Sequence, residues 1–535
     1  MGRLDRCSGS LLLSWCLVLI TSLALADSAS PTTDAVPVTI AAQRSLNVAT
    51  TPAPKRNPEI TESADTTNTV SSANLSAKAP PTAEPVATFK LGLENISAEL
   101  SAKIKPLRLA LITNQTGVTQ ANQRNIDYLL SQGYQIVRIY VPEHGLTGKI
   151  LAEKTVPDTV DPTTKIPVVS LYGGDSAFKK PAKSALEQID AFVFDLQDSG
   201  MRHYTYISIL LRMMQVAAEF QKLFVVLDRP NPLGSVMEGP LVDPGLESFI
   251  SIAAIPLRHA LTVGELAQYF NARVLKGVSS TSLAVAPAPK LAESTIVNGV
   301  KVAPVTSTAA GSVLPAAVAL NPSAATNDVT LATTPRNSAV NLVVVPMANY
   351  TRERGLAGQL LQPLSPNLAY LQSLYGYSFL GLLGELNPVD VAIKTPAAFQ
   401  AIGLPIRQAP RAGLWTELQA LLAKHQISST PYRYTNAAGD WPFQGLKLQI
   451  TDINQVAAFP ALLDCVQFFR DKLQLSFKYG PSFDKAVGTK KFKQWVTGAL
   501  ALADWQTQMQ QDLQNFATVV TPYLLYTPAP KITAN

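Results

Sequence analysis

Three apolar runs in this 535-residue chain empty into groups that could do chemistry. Arg138-Ile-Tyr-Val-Pro-Glu-His-Gly145 delivers Glu143 and His144. Ala191-Phe-Val-Phe-Asp-Leu-Gln-Asp198 delivers Asp195, Gln197 and Asp198, and Leu223-Phe-Val-Val-Leu-Asp-Arg-Pro-Asn231 delivers Asp228, Arg229 and Asn231. A carboxyl at a half-buried strand end can have a raised pKa and act as a general acid. Glu143 is the candidate, with His144 beside it. Pro142 cannot continue a central strand, and Gly145 frees the backbone to turn. Past Asp198 come Arg202, His203, Tyr204 and Tyr206, which offer donors and aromatic faces. A sugar site needs both, because a sugar carries hydroxyls on its rim and C–H groups on its flat sides. Glu238, Arg258 and His259 are candidates to reach the same space. The bland alternatives are a loop salt bridge for Glu143, tyrosines buried as core, and Arg202 neutralising Asp198.

The elements that must carry these groups read as α/β. Short apolar runs at 108–113, 135–140, 167–172, 191–195 and 224–227 are separated by helical stretches near 122–132 and 207–220. Continuous β-branched runs alternating with helices argue for a parallel sheet covered on both faces. In such sheets the chemistry gathers outside the carboxyl ends of the strands. Thr262-Val-Gly-Glu265 reads as a capping box opening another helix. A second region is expected to begin with Asn341-Leu-Val-Val-Val-Pro346. It continues with helices near 367–374, 412–425, 455–471 and 498–516, and a half-wet strand at Leu446-Lys-Leu-Gln-Ile-Thr451.

Several chemistries are excluded. Three of the four histidines lie in the first region, but no H-x-x-x-H or H-E-x-x-H spacing occurs, so no metal is expected. G-x-G-x-x-G and Walker sequences are absent, so no nucleotide cofactor is expected, nor any other cofactor. Gly174-Asp-Ser176 lacks a G-x-S-x-G and reads as a turn. The net charge of +6 is small and scattered, which leaves no nucleic-acid footprint. The start is a targeting signal: basic residues to Arg6, an apolar stretch Leu11 to Leu25, and an Ala24-Leu25-Ala26 cleavage pattern. Residues 1–26 are therefore expected to be removed on export to the periplasm or beyond, leaving no stable membrane span. Cys7 and Cys16 leave with them, and Cys465 remains as a buried thiol. Residues 27–86 read as a disordered tether, 277–337 as a low-complexity insertion with a hairpin near Gly299-Val-Lys-Val-Ala-Pro-Val305, and 338–535 as a smaller second domain.

Leu111-Ile-Thr-Asn-Gln-Thr-Gly117, Pro142-Glu-His-Gly145, Phe194-Asp-Leu-Gln-Asp198, Arg202-His-Tyr-Thr-Tyr-Ile207, Leu227-Asp-Arg-Pro-Asn-Pro232 and Glu238-Gly-Pro240 together resemble the exo-β-N-acetylmuramidase NamZ family. The resemblance continues through Ser365-Pro-Asn367, Phe483-Asp-Lys-Ala-Val-Gly-Thr489 and Tyr523-Leu-Leu-Tyr526. It implies a Rossmann-like domain of residues 87–276, a smaller α/β domain, and an active site in the cleft between them. It further implies release of N-acetylmuramic acid from the non-reducing end of peptidoglycan-derived glycans, with Glu143 as the catalytic carboxylate. His144 would assist it. Asn114, Asp195, Gln197, Asp198, Arg202, Tyr204, Tyr206, Asp228, Arg229, Asn231, Glu238, Arg258, His259 and Asn387 would bind the sugar, Arg202 taking the lactyl carboxylate bidentately. The second carboxylate stays open among Asp195, Asp198, Asp228 and Glu153. Departures from the family pattern are Ala152-Glu-Lys154, Arg258-His-Ala260 and the stretch Gly384-Glu-Leu-Asn-Pro-Val-Asp390, in which only Asn387 matches. They motivate a rival reading, a wall-binding protein of the same fold without turnover.

Overall fold

The β-branched runs become the strands of one sheet. A computed structural model describes residues 88–173, 177–277, 296–297, 300–302, 339–408, 411–436 and 442–533. The targeting segment, the tether, most of the 277–337 insertion and Gly174-Asp-Ser176 lie outside the described residues. Strands β1 (Arg108–Thr113), β2 (Gln135–Val141), β3 (Pro167–Ser170), β4 (Ala191–Asp195), β5 (Leu223–Leu227) and β6 (Asn341–Val345) run parallel in the order 3-2-1-4-5-6. That is the Rossmann order, whose strand sequence reverses between β1 and β4. Short antiparallel pieces close both edges: Thr159–Val160 beside β3, and the expected hairpin, Ile296–Val297 with Val300–Val302, beside β6.

Side chains alternate along each strand between two buried clusters. Ala110, Ile112, Phe192, Phe194, Phe224 and Val226 face one. Leu109, Leu111, Ala191, Val193, Val225 and Leu227 face the other. Both sheet faces are therefore covered, as the continuous apolar runs require. Helix α1 (Tyr206–Glu219) buries ten residues on one face of the sheet. Helix α2 (Val263–Tyr269) starts in the anticipated capping box: Thr262 Oγ1 accepts from Glu265 N–H, and Glu265 Oε2 accepts from Thr262 N–H.

One boundary is corrected. Asn341–Val345 does not open the second region; it pairs in parallel with β5, Leu342 beside Phe224 and Val345 beside Leu227. A run of four apolar residues fits the covered sheet better than a new edge. The second region takes over with helix α3 (Leu371–Leu383), which starts later and runs longer than the helix expected near 367–374. It continues through an antiparallel sheet of β7 (Ala401–Pro405), β8 (Ser428–Thr435) and β9 (Pro442–Gln449), in the order 7-9-8. Helices α4 (Ala412–Lys424), α5 (Ala458–Leu473) and α6 (Leu502–Val520) complete it.

Buried polar bonds tie the two regions together. Arg202 gives all five N–H groups away: Nε to Ser251 Oγ, Nη1 to the carbonyls of Pro240 and Ile255, Nη2 to those of Ala486 and Val487. Gly488, with φ +83°, lies so close that a Cβ there would sit 2.4 Å from Nη2. Glu238 accepts from the first N–H groups of α5, Ala458 and Phe459, while pairing with Arg258 at 2.7 Å. A carboxylate there complements the positive end of the helix.

Candidate active site

The parallel strands deliver their polar groups at their carboxyl ends, and α3 lies across them. Glu143 follows β2 and is half-buried. Its Oε2 accepts from Thr205 Oγ1 at 3.1 Å and its Oε1 from the Glu153 N–H at 3.1 Å. Burial, and then the Glu143 charge nearby, raises the Tyr172 phenol, just past β3, well above its ordinary range. From α3 comes Tyr377, whose phenol is pushed up by burial and by Glu143, Asp198 and Glu385 together. The ring of His203 lies 4.7 Å from that of Tyr377. Burial, with the Arg202 charge adjacent, pulls the imidazole down to about 3, so it is neutral at ordinary pH. Gly381, one turn along α3, lets this approach happen, since a Cβ there would sit 2.8 Å from His203 Nε2.

The match to known proteins is colinear with these elements. The family described as exo-β-N-acetylmuramidase NamZ matches through its N-terminal part at residues 109–372 and its C-terminal part at 375–526. The chain belongs to the NamZ family. A peptidoglycan β-N-acetylmuramidase NamZ of Bacillus subtilis (strain 168) is 25% identical over 467 residues, 85% of this chain and 94% of that one. A DUF1343 family protein of Bacteroides fragilis NCTC 9343 shares 26% identity and superposes with a TM-score of 0.63, covering 83% of this chain and 100% of its own. A second from the same organism, 22% identical with a TM-score of 0.53 over 82% and 99%, shares the fold. The family is one of cell-wall glycosidases, and its N-terminal part runs past β6, in agreement with the sheet.

Many polar residues of the NamZ motifs turn out to build the fold. Arg202 cannot take a lactyl carboxylate, because carbonyls and Ser251 occupy its whole fork. Asp195 and Arg229 form a buried bidentate pair at 2.6 and 2.9 Å, and Asn125 donates to the same carboxylate. Asp228 accepts from Arg229 N–H, Gly264 N–H, Thr262 Oγ1 and Tyr526 OH. Burial nonetheless pushes it up to about 7. Asn231 bridges Leu261 and Leu233, and Glu238 and Arg258 are committed to α5. His144 adopts φ +72° and donates from Nδ1 to Ile150 O at 2.6 Å, so it holds the 144–150 turn behind Glu143. Asn387 is exposed in a two-residue strand beside Lys478.

Others do line the cleft or support its wall. Asn114 donates to Tyr206 OH at 2.8 Å, and both Tyr204 and Tyr206 donate to Leu364 O, so their hydroxyls fix the crossing to the second region. Their rings, 4.5 Å apart, remain beside Tyr377. Gln197 donates to Asp198 O and Pro230 O. It also lines a separate cavity of about 170 Å³ with Thr116, Arg229 and Arg354; that cavity contains neither Glu143 nor Asp198. His259 Nε2 faces Asp198 Oδ2 at 3.4 Å. Tyr172, Thr205, Tyr377 and Glu385 were not anticipated. Tyr377 sits in an apolar helix and reads as core, whereas Glu385 stands two residues before Asn387, in the very stretch that departs from the family pattern. It is exposed, yet its carboxyl is raised by the surrounding atoms and by Glu153. Among the described residues no group of three or more His, Cys, Asp or Glu is placed to hold a metal.

Proposed function

We propose that this chain is an exported exo-acting glycoside hydrolase that releases N-acetylmuramic acid from the non-reducing end of peptidoglycan fragments, with Glu143 as its general acid. The observation that carries the reading is the placement of Glu143: at the carboxyl end of β2, half-buried, with Thr205 and the Glu153 N–H each on one oxygen. Those bonds aim the carboxyl while leaving lone pairs toward the cleft. Protonated, Glu143 gives its proton to the glycosidic oxygen as the bond to the anomeric carbon breaks. Tyr377, half-buried beside Tyr204, supplies a flat apolar face for the sugar ring. With Arg202, Arg229 and Arg258 committed elsewhere, Thr205, on Glu143 Oε2, is a side chain that can hydrogen-bond a substrate hydroxyl.

The test is release of free N-acetylmuramic acid from a muramic-acid-capped glycan by wild type and by Glu143→Gln. Loss of about 10²–10⁴-fold in kcat with sugar binding retained is expected, the scale of a lost general acid. Equal turnover by both would move the acid elsewhere. Binding without turnover by either would leave the wall-binding reading. Cleavage after Ala26 and recovery from the culture fluid or periplasm test the export.

A further inference from the structure

The cavity of about 170 Å³ lies outside the carboxyl ends of the strands and apart from Glu143. Thr116 reaches it from the loop after β1, Gln197 from the loop after β4, and Arg229 from the loop after β5. The strand order reverses between β1 and β4, and the crevice at such a switch point is where open α/β sheets take ligands. Residues beyond β6 form the opposite wall, with exposed Arg354 and Gln359 at the rim. On the inner wall two side chains are more than nine-tenths buried and yet incompletely bonded. Arg229 meets the Asp195 carboxylate side-on through Nε and Nη2, and Nη2 also donates to Val118 O. Its Nη1 has no hydrogen-bond partner among the described residues, and it is not sealed from solvent. Gln197 Nε2 donates to two carbonyls, Asp198 O and Pro230 O, which fixes the amide; Oε1 is left unpartnered and likewise unsealed. Buried polar groups are nearly always paired, so an open donor and an open acceptor on one wall call for a partner that enters the cavity. Charge narrows its identity. Asp195 neutralises Arg229, whereas Arg354 lies 4.3 Å over the Phe89 ring and has no ion pair among the described residues. No Asp or Glu lines the cavity, so the charge of Arg354 stands uncompensated.

We infer that this cavity is a binding site for a small hydroxy acid, taken as its monoanion. The carboxylate accepts from Arg354 and from Arg229 Nη1, and a hydroxyl donates to Gln197 Oε1. A guanidinium suits a carboxylate because its N–H groups form charge-assisted bonds. A neutral polyol would leave Arg354 unpaired, and an amino acid would bring an ammonium beside two guanidiniums. Size sets the other limit. A cavity of about 150 Å³ holds benzene, so this one holds an acid of roughly three or four carbons and excludes a nucleotide or a whole amido sugar. The site is therefore distinct from the one that would hold a glycan, and it does not rest on the glycosidase reading.

The experiment is a ligand-observed NMR titration of the full chain near neutral pH with D-glycerate, glycerol and inorganic phosphate. Glycerate should bind saturably at one site with a dissociation constant of about 1 mM or below, as a ligand of so few atoms allows. Glycerol, which has the same carbon skeleton without the charge, should not bind. Arg354→Ala should weaken glycerate roughly tenfold or more, the scale of one lost charge-assisted hydrogen bond. Arg354 is exposed and bonds to no other side chain among the described residues, so the unfolding midpoint should stay near wild type. Gln359→Trp alters no charge but crowds the rim, and it should weaken glycerate as well. Glu143→Gln should leave glycerate binding unchanged, because Glu143 does not line the cavity. Absence of saturable glycerate binding to wild type would overturn the assignment. So would glycerate bound equally by folded Arg354→Ala and Gln359→Trp, or glycerol or phosphate bound as tightly as glycerate. None of these outcomes bears on release of N-acetylmuramic acid, so failure here and failure of the glycosidase reading are read separately.

Discussion

Replacing Arg202 by methionine tests whether this motif arginine serves the fold or the substrate. The guanidinium is fully buried and, among the described residues, pairs with no carboxylate. Burial draws its pKa down to about 9, but five acceptors on five N–H groups hold the proton. Methionine fills most of the volume and leaves the carbonyls of Pro240, Ile255, Ala486 and Val487 without their donor. Each unsatisfied buried acceptor costs about 1–3 kcal/mol. Removing the desolvated charge offsets part of this, so the net loss is about 3–5 kcal/mol, the scale of a broken buried charge contact. Lysine should not rescue, because its compact ammonium has three donors and no fork. Urea denaturation followed by tryptophan fluorescence is the assay, since Trp495 and Trp505 are buried in the region that Ala486 and Val487 tie to Arg202. A variant as stable as wild type that no longer prefers N-acetylmuramic acid to its lactyl amide would refute the reasoning and return Arg202 to the substrate.

Asp228→Asn should cost at most about 1 kcal/mol, because the amide oxygen can keep both backbone donors and the hydroxyls of Thr262 and Tyr526 can reorient; Asp228→Ala should cost about 3 kcal/mol. Its folded pKa of about 7 lies above the ordinary 3.8, so the stability it contributes is full below pH 4 and is lost as pH rises through 7. Denaturation at pH 5 and pH 8 should show that decline in wild type and lose this part of it in Asp228→Asn; an unchanged slope would contradict it. Gly381→Ala should lower kcat/KM while leaving unfolding free energy within about 1 kcal/mol, since alanine suits a helix but would displace His203 and Tyr377. Wild-type kinetics in that variant would show that this contact does not shape the cleft.

Strand ends, the capping box and the covered sheet were legible because they depend on local period and local chemistry. The runs Arg108–Thr113, Gln135–Val141, Ala191–Asp195 and Leu223–Leu227 could be read from apolar continuity alone. Asn341–Val345 could not be assigned, because a run of that kind carries no label for the sheet it joins, and some seventy residues separate its start from α2. Glu143 was legible as an acid at a strand end, and its neighbours in sequence, His144 and Glu153, fell into place around its turn. Tyr377 and Glu385 were not: each lies more than two hundred residues away in a helix, or beside one, that reads as core.

What the sequence by itself determined is the α/β class, the family and the set of acids brought to one edge of a parallel sheet, for each of these follows from side-chain period or from contiguous motifs. Only the tertiary structure decided which of those acids are free. A motif records that a residue is charged, not where its hydrogen bonds go, and here Glu238 takes two donors from α5 and Arg202 gives Nη2 to two carbonyls, all more than two hundred residues away. A charge satisfied in that way builds the fold; Glu143, half-buried with one donor on each oxygen, keeps lone pairs beyond those bonds.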